Sequence, residues 1–392
     1  GAGAGAGPGP GRGSRVSTAP RPRAGNPGRV SHARERARGA RWAQPRASLL
    51  KLDAALTATA AFGVPMLDSF RYSQGVCAAL IGGDVPAAEK FLQAMRAFLP
   101  VQSSLANSYY WHLSALTALH AGRYALAIDH SREALVQGQA AAMPFGVSNC
   151  HLGLASALLE TGEVTLAQEH VDAARAIGVG MGSRLIEFWC SAHEARAAFE
   201  RGDSPQGCVS LARALALSRE IGGAPLLWWP RAQIAQLYAN ALEHAIEVEH
   251  VHDVIRRLEL APPDGPVADT WPFPLKIYTL GRFGVVVDDR PLLFGGKTQK
   301  KPLELLKGLI ALGGREVRED KLAYALWPQA EDAVQALATT VYRLRKLIGE
   351  EAIERSEGCL TLNPRYCWVD VWAFERQLSQ LDQACREHRL AG

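Results

Sequence analysis

The chain has 392 residues, room for two or three domains, with 48% apolar and 21% charged residues, the proportions of a protein able to bury a core. It has no run of about 18 apolar residues that could form a transmembrane helix, and its opening residues lack the apolar segment of a secretory signal. Seven cysteines without a Cys-x-x-Cys pair fit reduced thiols in a cytoplasmic protein rather than a disulfide framework. The net charge of +4 divides unevenly: +9 over residues 1–48, −7 over 49–274 and +2 over 275–392.

In the first 48 residues, 36 are Gly, Ala, Pro or Arg. Such a stretch has little to bury against the entropy of ordering, so residues 1–47 read as a disordered tail, with a phosphate-touching basic arm as the functional alternative. From residue 48 the composition turns to Ala and Leu with helical periodicity, and the informative signal is self-similarity. Gly83, Gly122, Gly162 and Gly202 are spaced 39, 40 and 40 residues apart. Five positions after each lies a small residue, Ala88, Ala127, Ala167 or Gly207; three before each lies an apolar one, Leu80, Leu119, Leu159 or Phe199. Cys150 and Cys190 also sit one period apart, which marks them as packing residues. Each unit reads as helix, Gly-containing turn, helix, the Gly supplying the positive φ that ends the first helix. A fifth unit, Trp228–Leu260, has Leu242 where the Gly falls due. Residues 48–62 read as a lone second helix, so the array is expected to start in mid-repeat.

Residues 261–274, with five prolines and no helical pattern, read as a linker. The pattern then changes to alternation. Strands are expected at roughly 275–280, 283–287 and 290–294 with a turn at Asp288-Asp289. Helices follow at Gln299–Leu312, Arg318–Leu326 and Asp332–Ile348, then strand-like runs "AIERS", "CLTLN" and "RYCWVDV" around Glu357-Gly358. A strand block, three helices and a closing hairpin is the layout of a winged helix.

On the Asp332–Ile348 helix, a turn of 100° per residue gathers Val334, Leu337, Val341, Leu344 and Ile348 on one face. Gln335, Thr339, Tyr342, Arg343 and Lys346 point the other way, with Arg345 at the border and Thr340 counted among the DNA-facing candidates. A face carrying an amide, hydroxyls, a phenol and cations without a carboxylate suits the major groove, with donors for base edges and cations for phosphates. Lys300 and Lys301 near the first helix, and Arg355 and Arg365 in or beside the wing, are further phosphate candidates.

These residues carry a family resemblance. The period of 40 resembles the longer tetratricopeptide-like (TPR-like) repeats of maltose-regulator (MalT)-like bacterial activators. The run "LGRFGVVVDDRPLLFGGKTQKKPLELLKGLIALGGREVREDKLAYALWP", with "ALATTVYRLRKLIG" and "LTLNPRYCWVDVWAFE", resembles the OmpR/PhoB-type DNA-binding domain. More closely, it is similar to the version in bacterial transcriptional activators of the antibiotic-regulatory (SARP) and MalT-like type. The resemblance implies a mainly α protein: a helical-hairpin (TPR-like) solenoid over 48–260 and an α+β winged helix over 275–371. It also implies that Arg343 and Arg345 touch DNA, and that 372–392 begins a helical bacterial-activator domain cut short after one helix. The implied partners are double-stranded DNA through the wing domain, and RNA polymerase, a signalling protein or a small effector on the repeats. The alternative is a TPR-type adaptor whose winged helix docks protein.

MalT-like activators usually carry an NTPase module before their repeats, but no phosphate loop is found here. "GGKTQ" at 295–299 has Pro291 where a Walker A loop needs its first Gly. The His244, His250, His252 cluster cannot place His250 and His252 on one helix face. No metal site, no cofactor and no enzyme activity is expected.

Overall fold

A computed structural model describes residues 65–99, 103–263, 269–293, 297–330 and 332–390. The expected tail at 1–47 and the lone helix at 48–62 lie outside the described residues. The chain is mainly helical, with a small sheet region near its C-terminus.

Among the described residues ten helices come first: α1 (Pro65–Gly82), α2 (Val85–Arg96), α3 (Ser104–His120), α4 (Tyr124–Ala140), α5 (Pro144–Glu160), α6 (Val164–Met181), α7 (Arg184–Glu200), α8 (Ser204–Glu220), α9 (Arg231–Glu243) and α10 (Val248–Leu258). The turn glycines do what the spacing predicts. Gly83, Gly122, Gly162 and Gly202 all have positive φ, between 71° and 82°. At Gly122 the amide bonds to the Leu119 carbonyl and the next amide, of Arg123, to Ala118, closing the helix end in a left-handed turn. The fifth unit repeats this motif without glycine. Ala245 takes φ 54°, its amide bonding to Leu242 and that of Ile246 to Ala241. The turn thus falls three residues beyond the expected Leu242.

The small-residue slots explain themselves sterically. Ala88, Ala127 and Ala167 are buried between helices. In the fourth unit the apolar slot is Phe199 rather than Leu, and a Cβ on Gly207 would lie 2.8 Å from its ring. The larger ring in one slot requires the loss of a methyl in the other. Cys150 and Cys190 are buried, and burial pushes their thiols up to about 11 and about 12.

Between α8 and α9, residues 221–230 carry no helical period, yet they lie in the core. Trp228 and Trp229 are among the most deeply buried large side chains. Pro225 O accepts from Trp189 Nε1 (3.1 Å), Trp228 Nε1 donates to Asn149 O (3.4 Å) and Trp229 Nε1 to Ser156 Oγ (3.2 Å). His120 Nε2 donates to Leu227 O at 2.8 Å, and Arg231 reaches Ile81 O at 3.1 Å. The segment therefore touches α3, α5 and α7, and the first residue of α9 that follows it reaches α1.

Residues 269–274, the second half of the expected linker, are packed. Trp271 and Phe273 are buried in the core of the helical region, while Leu275 belongs to the next core. Thr270 O accepts from His252 Nε2 (2.7 Å), Asp269 accepts from Trp368 Nε1 (3.0 Å), and Arg256 pairs with Asp289.

The C-terminal region comprises β1 (Leu275–Tyr278), β2 (Gly284–Val287), β3 (Arg290–Pro291), α11 (Lys297–Ala311), β4 (Val317–Arg318), α12 (Glu319–Leu326), α13 (Ala333–Ile348), a short 3-10 turn, β5 (Ile353–Ser356), β6 (Cys359–Leu362), β7 (Cys367–Val369) and α14 (Asp370–Leu390). The first sheet has the order β3-β2-β1-β7, with β7 parallel to β1; the second has the order β4-β6-β5. Asp288 and Asp289, φ 48° and 60°, make the expected tight turn between β2 and β3. β4, and the entry of β7 into the first sheet, were not among the expected elements. α14 begins inside the C-terminal core: its Trp372 packs against Gly314, where a Cβ would lie 2.7 Å from the ring.

Candidate nucleic-acid interface

The candidate face lies on α13. Asp332 starts the helix, its side chain accepting from the Gln335 amide at 2.8 Å. Leu337, Val341, Leu344 and Ile348 are buried against the C-terminal core, as the periodicity predicts. Gln335, Thr339, Tyr342, Arg343 and Lys346 are exposed. Tyr342 stands 62% exposed, and neither Arg343 nor the Gln335 side chain bonds a described residue.

Two assignments are corrected. Val334, expected in the core, is 49% exposed on the outer side. Thr340 is buried, and its Oγ1 donates to Ala336 O at 2.7 Å, so it faces the core. Arg345 is half-buried and its guanidinium donates to Ile353 O (Nε at 3.1 Å), fastening the end of α13 to the start of β5. A helical wheel places Arg345 at a border, and the carbonyl eight residues on decides which side it takes.

Other candidates are engaged within the molecule. Lys346 pairs with Glu350 at 2.9 Å and lies over the Tyr342 ring; that hydrogen bond raises the lysine and lowers the Glu350 carboxyl. Arg355 makes a two-pronged contact with Glu319, which raises the guanidinium's pKa. Lys301 pairs with Glu304 at 2.9 Å and lies over Trp327, while Lys300 is exposed. Arg365 sits on the loop between β6 and β7, beside Trp368 and Trp372, not on the β5–β6 hairpin. The tip of that hairpin is Glu357-Gly358, φ 49° and 72°.

The histidine cluster disperses. His244 stacks on Phe199, His250 bonds Ser218 Oγ at 3.1 Å and His252 turns to Thr270 O. Among the described residues no group of three or more His, Cys, Asp or Glu could hold a metal ion. No helix among them is long and apolar enough to cross a membrane. No protein-family model matches the chain, and no curated protein matches it.

Proposed function

We propose that this chain is a cytoplasmic transcription regulator that binds duplex DNA. In this reading the C-terminal region is a winged helix of OmpR/PhoB type and α13 enters the major groove. The preceding helices are a TPR-like solenoid that receives a protein or small effector, as in MalT- and SARP-like activators. One observation carries the reading: the outer face of α13 offers Gln335, Thr339, Tyr342 and Arg343 to solvent without a carboxylate among residues 333–348. An amide and a guanidinium suit adenine and guanine edges, and exposed Val334 adds an apolar contact for a thymine methyl. Phosphate contacts would come from Arg343, Lys300 and, after exchange of Glu350, Lys346.

Fluorescence anisotropy of the full chain on labelled genomic duplexes tests this. Affinity is expected to fall steeply between about 50 and 200 mM salt, because bound phosphates release counterions. Arg343→Ala or Gln335→Ala is expected to cost about 1–3 kcal/mol on a specific site. Unchanged binding by the double variant would overturn the assignment.

The adaptor reading, with the winged helix docking protein, draws on a separate observation: Lys301, Lys346 and Arg355 are ion-paired inside the protein, while Tyr324, Val334 and Tyr342 are exposed. Salt-insensitive capture of one protein by this face would favour it.

A further inference from the structure

The ends of α4 and α6 form an apolar edge of the helical region. Short turns make α4, α5 and α6 antiparallel neighbours, so the end of α4, the start of α5 and the end of α6 come to one side. Gly138 packs on Val147 and Gly178 on Ile186, which seats each helix end on the start of the helix that follows. Val179 is 76% and Val136 58% exposed, and Met143, Phe145 and Met181 are exposed beside them. One residue in five of the chain is charged, yet neither 134–149 nor 176–183 holds an Asp, Glu, Lys or Arg. Of the exposed residues in these two runs, Gln139 alone has a polar side chain. A helix C-terminus favours lysine or arginine against its dipole, but α4 and α6 have no basic residue in their last turns. The edge forgoes the charges that would suit it to water.

We propose that this edge is the interface through which two copies of the chain pair about a two-fold axis. Its extent fits a protein partner. The five large side chains leave about 500 Å² of apolar surface, at the upper end of what a monomer exposes. With Gln139 and the small residues around them, the area approaches the ~800 Å² that each partner buries in a stable pair. Its chemistry fits a second copy. A surface without charge cannot steer or select a partner by opposite charge, so its complement is another uncharged surface. A second copy brings the same one. Interfaces between like chains are the more apolar class, poor in charge and rich in methionine and aromatic residues, as Met143, Met181 and Phe145 are here. A two-fold contact uses the same patch on both copies and closes at two. On the DNA reading such a pair carries two copies of α13, but the pairing does not depend on that reading.

Sedimentation equilibrium of the full chain, without DNA, tests this over about 0.5 to 50 μM. The mass is expected to rise with concentration to twice that of one chain and to stop there. Salt at about 1 M is expected to leave the pairing in place, since no charge crosses the edge. Val136→Glu and Val179→Glu are each expected to weaken pairing at least about tenfold, because each buries a carboxylate from both copies. Their circular-dichroism melts should stay in place, since both side chains are exposed in the single chain. Leu378→Glu, on the exposed apolar residues of α14, is expected to leave pairing unchanged. Hydrogen exchange of the unmodified chain gives a second reading: amides within 134–149 and 176–183 should slow as the pair forms. The proposal is overturned by a monomer throughout the range, by assembly that continues past two, by pairing undiminished in both valine variants, by loss of pairing in Leu378→Glu, or by unchanged exchange in the two runs.

Discussion

His193 illustrates how much one buried polar side chain fixes around itself. Trp189 O can only accept, so Nδ1 of His193 carries the proton; Nε2 must then accept from Ser156 O–H at 2.8 Å, and Ser156 Oγ accepts from Trp229 Nε1. A second proton would break this relay. Burial holds both His193 and His112 down at about 4. Each is neutral in the folded chain but titrates near 6.5 when unfolded, so the unfolded state binds more protons in acid. Stability is therefore complete above about pH 6.5 and declines as pH falls from there toward 4; at pH 5 each histidine costs about 2 kcal/mol. Thermal melts at pH 7.5 and pH 5 check the direction, and His193→Asn is expected to flatten the dependence. The two arginines of "RLR" teach a different lesson. They are alike by composition but lie on different sides of the wheel: Arg343 is exposed and Arg345 is spent on a backbone carbonyl. Arg345→Ala is thus expected to cost about 1–3 kcal/mol of stability by leaving Ile353 O unpaired, and less DNA affinity than Arg343→Ala. A melt beside an anisotropy titration separates the two effects.

At the scale of elements, the helices and their turns were legible because the code for them is local. A Gly at a fixed period, a small residue five positions on and an apolar one three before describe contacts within one helix pair. The Phe199–Gly207 exchange shows that these slots are coupled. Gly207→Ala is expected to destabilise by about 1–3 kcal/mol through overpacking, and Phe199→Leu added to it to restore most of that loss. Denaturant titrations of the two singles and the double close the cycle. What stayed hidden was non-local. β7 lies beside β1 although about 90 residues separate them, and no periodicity announces a partner at that distance. The same holds for Thr340: β-branched and polar, it reads as a surface residue until the back-bond to Ala336 O is known. On α13 the residues placed outward, Gln335, Thr339, Tyr342 and Arg343, are exposed, whereas Val334, placed in the core, is exposed as well.

For the whole molecule, the decisive residues are those that a reading by segments assigns to connections. Proline-rich 261–274 reads as a tether, yet its Trp271 and Phe273 fill the core of the helical region while Leu275 fills the next. Trp271→Ala is expected to remove about 3–5 kcal/mol of stability and to expose the segment after α10 to protease, detectable as an early cut that yields two fragments. The stretch 221–230, with its paired tryptophans, likewise joins α8 to α9 in sequence but occupies a face shared by α3, α5 and α7 in space. A partner on the helical region would have to use another face.

That stretch also changes how the helices can come apart. A row of helices touching only its neighbours frays from either end, one unit at a time, and its stability adds up link by link. Here Arg231, the residue that follows the stretch at the start of α9, reaches the end of α1 across 150 residues, so the first and last described units share a bond. The described row is closed by a clasp between α1 and α9, and hydrogen exchange should rise in these two helices together.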